Sequence, residues 1–479
     1  MKYRVVVSGF GDEIAAAVVP GLLVEPWIEH IHWIAESAGR TMPGEGHEKL
    51  TIIDQHRALY PPYAAATPAS DLLVEETAAA VMPMMDRLEK HGPPISDTRR
   101  RALLGRNARY WVEYVERHRI NGYIGANTPH EITDYLIAEH LKDRDGAVVR
   151  YFLQWRTDLL LPVSNYRDLG TDRAGRISEA TERERTQLEA VAQSIIGIYR
   201  KWESAATEPF YMRRESIDWT ERVAAKRKRR RLLGKLRRVS SLADLGRGLR
   251  YLLFQLVEKR YLIPHKDGRI RRQYAAIAIS DPDLTVPYFY FPLHLQPENT
   301  TSPLGGSYVE QRLLVAQLLE QLPPEVYIYV KENPKQGYQG RGKDYYAGFP
   351  GDERVKFISL DYSSITLIEN ALGVATITGT AALEAMWVPR PVLVFGYTYT
   401  GSGPGVYRVH DASAIRDAVA AIINEEWEQS MKPETFVRQL AYRSLCTNVS
   451  DYHHRNGIVQ LSTEVTAARI VAELRAGFI

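Results

Sequence analysis

Short, continuously apolar runs alternate with amphipathic stretches along most of the chain. This is the pattern of strands buried on both faces and of the helices that cover them. Residues 4–8 read as a buried parallel strand, closed by Gly9-Phe10-Gly11. Residues 50–54 form a second short run, and 72–90 and 98–118 carry helical periodicity. A cleaner unit follows: a strand over 122–126, a turn at Asn127-Thr128-Pro129, a helix over 130–142, a break at 143–146 and a strand over 147–152. Strand, helix and strand with short connections predict a βαβ unit and a parallel sheet.

Beyond Pro282 the alternation is regular. Strands are predicted at 286–293, 326–330, 355–360, 374–378 and 391–395, with helices at 307–322, 363–372, 381–387 and 412–424. That is a five-strand Rossmann-like, doubly wound domain. The predicted division is an N-terminal α/β domain (1–175), a helical basic insertion (176–280), a C-terminal Rossmann-like domain (281–425) and a helical, polar tail (426–479). The expected architecture is α/β, with two lobes and a cleft between them.

Composition narrows the class. The 479 residues are 45% hydrophobic and 25% charged, ordinary globular values that argue against fibrous, coiled-coil or disordered chains. A net charge of +3 is too small by itself to call for a nucleic-acid partner. The single cysteine, Cys446, excludes an intrachain disulfide and a cysteine-rich metal site. No apolar run reaches membrane-spanning length. The run behind Met1 is short for a signal peptide and meets Asp12 and Glu13, so a cytoplasmic protein is expected.

The charge is uneven. Residues 222–238 hold ten Lys or Arg and no acid, interleaved with Leu232, Leu233 and Leu236. A solvated helical insertion explains this, and so does a basic face on anionic membrane lipid. Peripheral association with an anionic membrane through 222–238 is the partner expected there, and no nucleic acid is expected.

Ligands of open parallel sheets sit beyond the carboxyl ends of the strands. Gln296-Pro297-Glu298 follows the first strand of the C-terminal domain, and Lys331-Glu332-Asn333-Pro334 the second. Ser363-Ser364 opens a helix after the third, and Thr378-Gly379-Thr380 opens one after the fourth, with Glu384 a turn later. Free N–H groups make helix starts anion sites, although Ser363 or Ser364 is equally explained as an N-cap. Gly379 weakens a helix start unless something must approach it. Glu384 is placed to accept ribose hydroxyls of a nucleotide whose phosphates rest on these helix starts, with Lys331 as counter-charge. In the N-terminal domain, His130-Glu131 opens a helix and Asp12 follows the first strand, which makes them acid–base or carboxylate candidates. No phosphate-loop motif occurs, Ile14 stands where a dinucleotide fingerprint needs its third glycine, and His453-His454 is an isolated pair. No metal site and no cofactor are expected.

The segments Phe291-Pro292-Leu293-His294-Leu295-Gln296-Pro297-Glu298, Lys331-Glu332-Asn333-Pro334 and Thr378-Gly379-Thr380-Ala381-Ala382-Leu383-Glu384-Ala385, in this order, resemble the bacterial capsule polysaccharide biosynthesis family. That family includes the capsular β-Kdo glycosyltransferases. The resemblance spans about residues 286–397, and Pro129-His130-Glu131 is similar to a weaker N-terminal feature. It implies a GT-B fold, a glycan or lipid-linked acceptor on the N-terminal domain, a CMP-activated ulosonic acid donor on the C-terminal one, and no metal. It places Gln296 and Glu298 at the donor sugar, Lys331, Ser363, Ser364, Thr378 and Thr380 at the phosphate, and Glu384 at the ribose. Asn333 stands where the family has histidine, exchanging a group that can carry charge for a neutral donor. A sugar-nucleotide epimerase, a polyol-phosphate transferase and a non-catalytic membrane- or nucleic-acid-binding protein are the competing readings.

Overall fold

The computed structural model describes residues 1–35, 44–60, 71–86, 95–200, 257 and 261–479. The basic run at 222–238 lies outside them, as do residues 87–90 of the 72–90 helix and the middle of the 176–280 insertion. Two seven-stranded, mostly parallel sheets form the framework. The first contains β1 (Tyr3–Ser8), β2 (Ile28–Ala35), β3 (Leu50–Asp54), β4 (Gly122–Gly125), β5 (Val148–Arg156) and β6 (Leu159–Val163). The second contains β7 (Ala278–Ile279), β8 (Tyr288–Pro292), β9 (Tyr327–Lys331), β10 (Val355–Ile358), β11 (Gly373–Thr376), β12 (Val392–Val394) and β13 (Val406–Arg408). A last strand, β14 (Leu445–Cys446), returns to the first sheet.

The strand orders are β14-β6-β5-β4-β1-β2-β3 and β13-β12-β11-β8-β9-β10-β7. Each holds the Rossmann order, with its switch point between β1 and β4 or between β8 and β11. The expected five-strand C-terminal sheet is thus extended by β7 and β13 at its edges. Alternation places successive side chains on opposite faces. Val5 and Val7 join one apolar cluster and Val6 another, and Phe289 and Phe291 face away from Tyr288 and Tyr290.

Two strands of the first sheet lie outside the expected elements. β2 is broken in sequence by Glu29, His30 and His32, and Leu159–Val163 follows β5 as an antiparallel return. The 307–322 helix starts later than expected. A 3-10 turn covers Gly306–Val309, and Glu310 caps the helix Gln311–Gln321 by accepting from the Arg312 N–H.

The C-terminal segment, read as a tail, is tied into the first lobe. β14 pairs antiparallel with β6. The helix Thr463–Phe478 lays Ile470, Val471 and Leu474 on Ile14, Val18 and Leu22 of the helix Asp12–Leu23. Phe478 stacks on Trp27 at 4.8 Å, and Arg475 donates to the buried Glu25 at 2.9 Å. The helix Glu182–Arg200 buries Leu188, Val191, Ile195 and Tyr199 and packs on the helix Pro433–Tyr442. No described helix is long and apolar enough to cross a membrane.

His32 carries a consequence for acid stability. Its ring lies 4.8 Å from that of His30 and 5.0 Å from that of His118, and Nδ1 meets the Tyr114 hydroxyl at 2.9 Å. Burial, aided by His30, His118 and Arg4, pushes its pKa from 6.5 down to about 3. Burial and then Arg341 push His294 to about 4. Both folded-state values lie below the unfolded one, so the folded chain binds fewer protons as pH falls. Stability from each neutral ring is complete above pH 6.5 and is lost as pH drops towards the folded value. At pH 5 each ring is expected to cost about 2 kcal/mol relative to neutral pH. Urea midpoints at pH 7.5 and pH 5 measure the loss, and His32→Phe should remove about half of the part due to these two rings. An unchanged pH slope in that variant would remove His32 from the account.

Candidate functional site

The two switch points face each other. The loop after β4 carries Thr128, His130 and Glu131, and the loop after β8 runs through residues 293–306. Asn299 joins them, its amide donating to the Thr128 hydroxyl at 2.9 Å and to the Thr128 carbonyl at 3.2 Å. Ser302 donates to the Ala80 carbonyl at 2.8 Å. Further along the lobe contact, Tyr199 stacks on Trp387 at 5.6 Å and Trp155 meets Tyr399 at 5.2 Å.

His294 knits the crevice between β8 and β11. The Thr378 N–H donates to its Nε2 at 3.1 Å, so the neutral ring keeps its own proton on Nδ1, towards the Pro292 carbonyl. The Gly379 N–H donates to the Thr376 hydroxyl at 3.1 Å. A Cβ on Gly379 would lie 2.8 Å from that hydroxyl oxygen and 3.0 Å from His294 Nε2. The close approach expected at this glycine is therefore made by the protein itself. Thr378 donates its hydroxyl proton to the Thr300 carbonyl at 2.6 Å, fastening the helix start to the loop that bears Glu298.

Lys331 and Ser364 come together. The ammonium of Lys331 donates to the Ser364 hydroxyl at 3.0 Å and to the Tyr362 carbonyl at 2.5 Å. Tyr290 also donates to the Ser364 hydroxyl, at 3.2 Å. A buried cation thus stands at the start of the helix Ser364–Asn370. Ser363 is an exposed N-cap that accepts from the Thr366 N–H at 3.2 Å, so the capping explanation accounts for it.

On the other side of β8, the Thr380 hydroxyl donates to Glu384 Oε1 at 3.2 Å. Glu384 is only 5% exposed, which excludes a solvent-facing role. Its helix, Ala381–Trp387, turns Ala382 and Ala385 towards its own sheet and Leu383, Met386 and Trp387 towards the first lobe. The carboxylate is held at the lobe contact, where Tyr199 and Tyr399 feel its charge.

Gln296 is engaged at both ends of its amide. Nε2 donates to the Val309 carbonyl at 2.7 Å and Oε1 accepts from Arg341. Its own N–H donates to Gln336 at 2.9 Å. Asn333 Oδ1 accepts from the Lys335 N–H at 3.0 Å. Glu131 is the N-cap of the helix Ile132–Leu141, in a reciprocal capping box with Asp134. Asp12 is the first residue of its helix, next to Gly11, whose N–H donates to the Val449 carbonyl. His453 meets Ser450 at 3.0 Å across its own helix start. Among the described residues no group of three or more His, Cys, Asp or Glu could hold a metal ion.

Two positioning residues were not among the expected site residues. Arg341 and Glu332 form a buried bidentate pair at 2.7 and 3.0 Å. Arg341 also donates to the His294 carbonyl at 3.0 Å and lies 4.3 Å from the Tyr345 ring centroid. Tyr346 donates to Glu332 at 2.8 Å. This pair locks the loop after β8 to the loop after β9. Glu332 was visible inside a motif, but its partner stands in a glycine-rich stretch with no period.

Residues 293–421 match the capsule polysaccharide biosynthesis protein family model, so the resemblance read from the three motifs is borne out over the segment that builds this crevice. No curated protein matches the chain. Among solved structures, the chain is similar to the KpsC β-Kdo 2,7 transferase of Thermosulfurimonas dismutans, with 12% identity and TM-score 0.30, over 81% of this chain and 94% of that one. It is also similar to the KpsC β-Kdo 2,4 transferase of the same organism, with 11% identity and TM-score 0.29, over 67% of this chain and 79% of that one. The UDP-GlcNAc 2-epimerase of Methanocaldococcus jannaschii gives 12% identity and TM-score 0.25, over 92% of this chain and 100% of that one. Likenesses at this level bear on neither donor nor reaction. The chain's own topology, two Rossmann-ordered sheets with apposed strand ends, is the two-lobed GT-B-like arrangement.

Proposed function

We propose that the protein is a glycosyltransferase of bacterial surface or capsular polysaccharide biosynthesis, moving an ulosonic acid such as Kdo from a CMP donor to a glycan or lipid-linked acceptor. The observation that carries this reading is the pairing, within the family-matched segment, of a buried cation at Lys331–Ser364 with a buried carboxylate at Thr380–Glu384, on opposite sides of one switch point. A nucleoside monophosphate presents an anion and a ribose diol, the two functions these groups would meet.

In this reading Lys331 and the adjoining helix start stabilise the departing phosphate as the bond to the anomeric carbon breaks. Glu384 accepts from the ribose hydroxyls. Glu298, on the loop joined to the first lobe, faces the cation-like transition state. The acceptor oxygen forms the new bond, and its proton passes to His130, the imidazole at the helix start on the acceptor side. Asn333 offers its amide to the donor where the family offers histidine. The basic run at 222–238 would hold the enzyme at the anionic inner membrane face, next to a lipid-linked acceptor.

Calorimetric titration of CMP, CDP, UDP and GDP without added metal tests the donor. Selective CMP binding is expected, with Glu384→Ala weakening it about tenfold or more by loss of a charged hydrogen-bond acceptor. A preference for UDP or GDP would discard the CMP donor, and no binding by any of the four would discard the transferase. Glycosidic product, rather than isomerised donor or phosphodiester, separates transfer from epimerase and polyol-phosphate chemistry.

A further inference from the structure

A cavity of about 270 Å³ opens on the second lobe at the carboxyl ends of β12 and β13. β11 and β8 separate these strands from β9, which ends at Lys331. Its walls are Tyr308, Phe395, Tyr397 and His410, its rim is Gly305-Gly306-Ser307, and Gln317 reaches it from the helix Gln311–Gln321. The volume lies below the ~300–1,000 Å³ that ordinary small-molecule pockets enclose, so a single ring fits where a nucleotide sugar does not.

The lining selects the kind of ring. Tyr308 meets Phe395 edge-on at 5.0 Å, and Tyr397 lies 5.7 Å from His410 with the rings inclined by 31°. Tyr397 and His410, the two lining rings left part-exposed, offer aromatic surface beside hydroxyl and amide groups, which suits a pyranose with its apolar C–H faces and polar rim. Tyr308 donates to Gln317 Oε1 at 2.7 Å, which fixes the amide and leaves its NH₂ as the donor end. No Lys, Arg, Asp or Glu lines the cavity. Burial, and then Arg408, lowers the pKa of His410, which keeps that ring neutral at pH 7. A carboxylated sugar would find no cation in the lining itself, whereas a neutral or N-acetylated one needs none.

The cavity is also tied to both lobes. The ring of Tyr397 stands between His410 and, at 5.9 Å, Tyr166 of the first lobe. The Tyr397 N–H donates to the Leu304 carbonyl at 2.8 Å. A Cβ at Gly396 would fall 2.7 Å from the Thr378 methyl, so the cavity wall abuts the helix start that carries Thr380 and Glu384. We infer that this cavity is a binding subsite for one neutral pyranose ring of a glycan, distinct from the Lys331–Ser364 and Thr380–Glu384 positions. The pyranose subsite is argued from its own lining; which glycan supplies the ring rests on the transferase reading.

Saturation-transfer NMR on the full chain, without nucleotide, tests it. Methyl β-D-glucopyranoside and methyl N-acetyl-β-D-glucosaminide are the probes, with cytidine and free Kdo as planar and anionic comparisons. Saturation of pyranoside ring protons is expected, with affinity about tenfold lower in Tyr397→Ala and in His410→Ala and retained in Tyr397→Phe. Thermal melting of each variant separates lost binding from lost folding. Pyranoside saturation that is unchanged in both alanine variants, saturation by cytidine or Kdo alone, or no saturation at all would each overturn the proposal. Because no nucleotide is present, a failure here is independent of the calorimetric test of the donor.

Discussion

Arg341→Met is expected to destabilise the protein by about 3–5 kcal/mol, since it strands the Glu332 carboxylate, 5% exposed, without its cation. The loss exceeds that of an exposed ion pair, which is worth about 1 kcal/mol or less, because neither group can regain water where it stands. Arg341 contributes two bonds to Glu332, one to the His294 carbonyl and a face-on contact with Tyr345. Methionine keeps much of the packing and removes all of the charge. Adding Glu332→Gln should recover part of the loss, since no uncompensated charge remains, and the two changes should be clearly non-additive. Urea denaturation of the two single variants and the double variant gives the coupling. A loss below about 1 kcal/mol in Arg341→Met would mean the pair does not anchor the two loops.

Glu298→Gln is expected to lower the rate of transfer by about a hundredfold or more, while CMP affinity stays within a few-fold. The substitution keeps shape and removes charge, and the backbone around it is held independently. The Glu298 carbonyl accepts from the Thr301 and Ser302 N–H groups, both at 3.1 Å, and from the Thr301 hydroxyl at 2.9 Å. The next residue, Asn299, docks on Thr128, two residues before His130. Glu298 therefore belongs to the loop that meets the first lobe, between the proposed donor and acceptor sides. Unchanged turnover in this variant would remove Glu298 from the mechanism. Reduced turnover with an equally reduced nucleotide affinity would make it a binding group instead.

The second lobe was largely readable from the chain. Its strands are continuous apolar runs because both faces of a parallel sheet are covered, and its polar residues cluster where strands end because ligands and helix starts meet there. The pairing of Thr380 with Glu384 followed from their spacing of four on one helix. Gln296 is the contrary case. Its place in a motif suggested sugar contact, yet its amide is spent on Val309 and Arg341, because two loops far apart in sequence must be joined under the crevice.

The sequence by itself determined the alternation of strands and helices, the Rossmann-like character of the second lobe and the order of polar groups at its strand ends, because each of these is written in local periodicity and spacing. Only the tertiary structure decided that Ile28–Ala35 is a strand despite two histidines, that the chain's last helix returns to close the first sheet, and that Gly379 yields to His294. It alone also brought Asn299 to Thr128, 171 positions away in the chain. These features depend on contacts between segments remote in sequence, where burial and hydrogen-bond geometry override the preference of the local stretch.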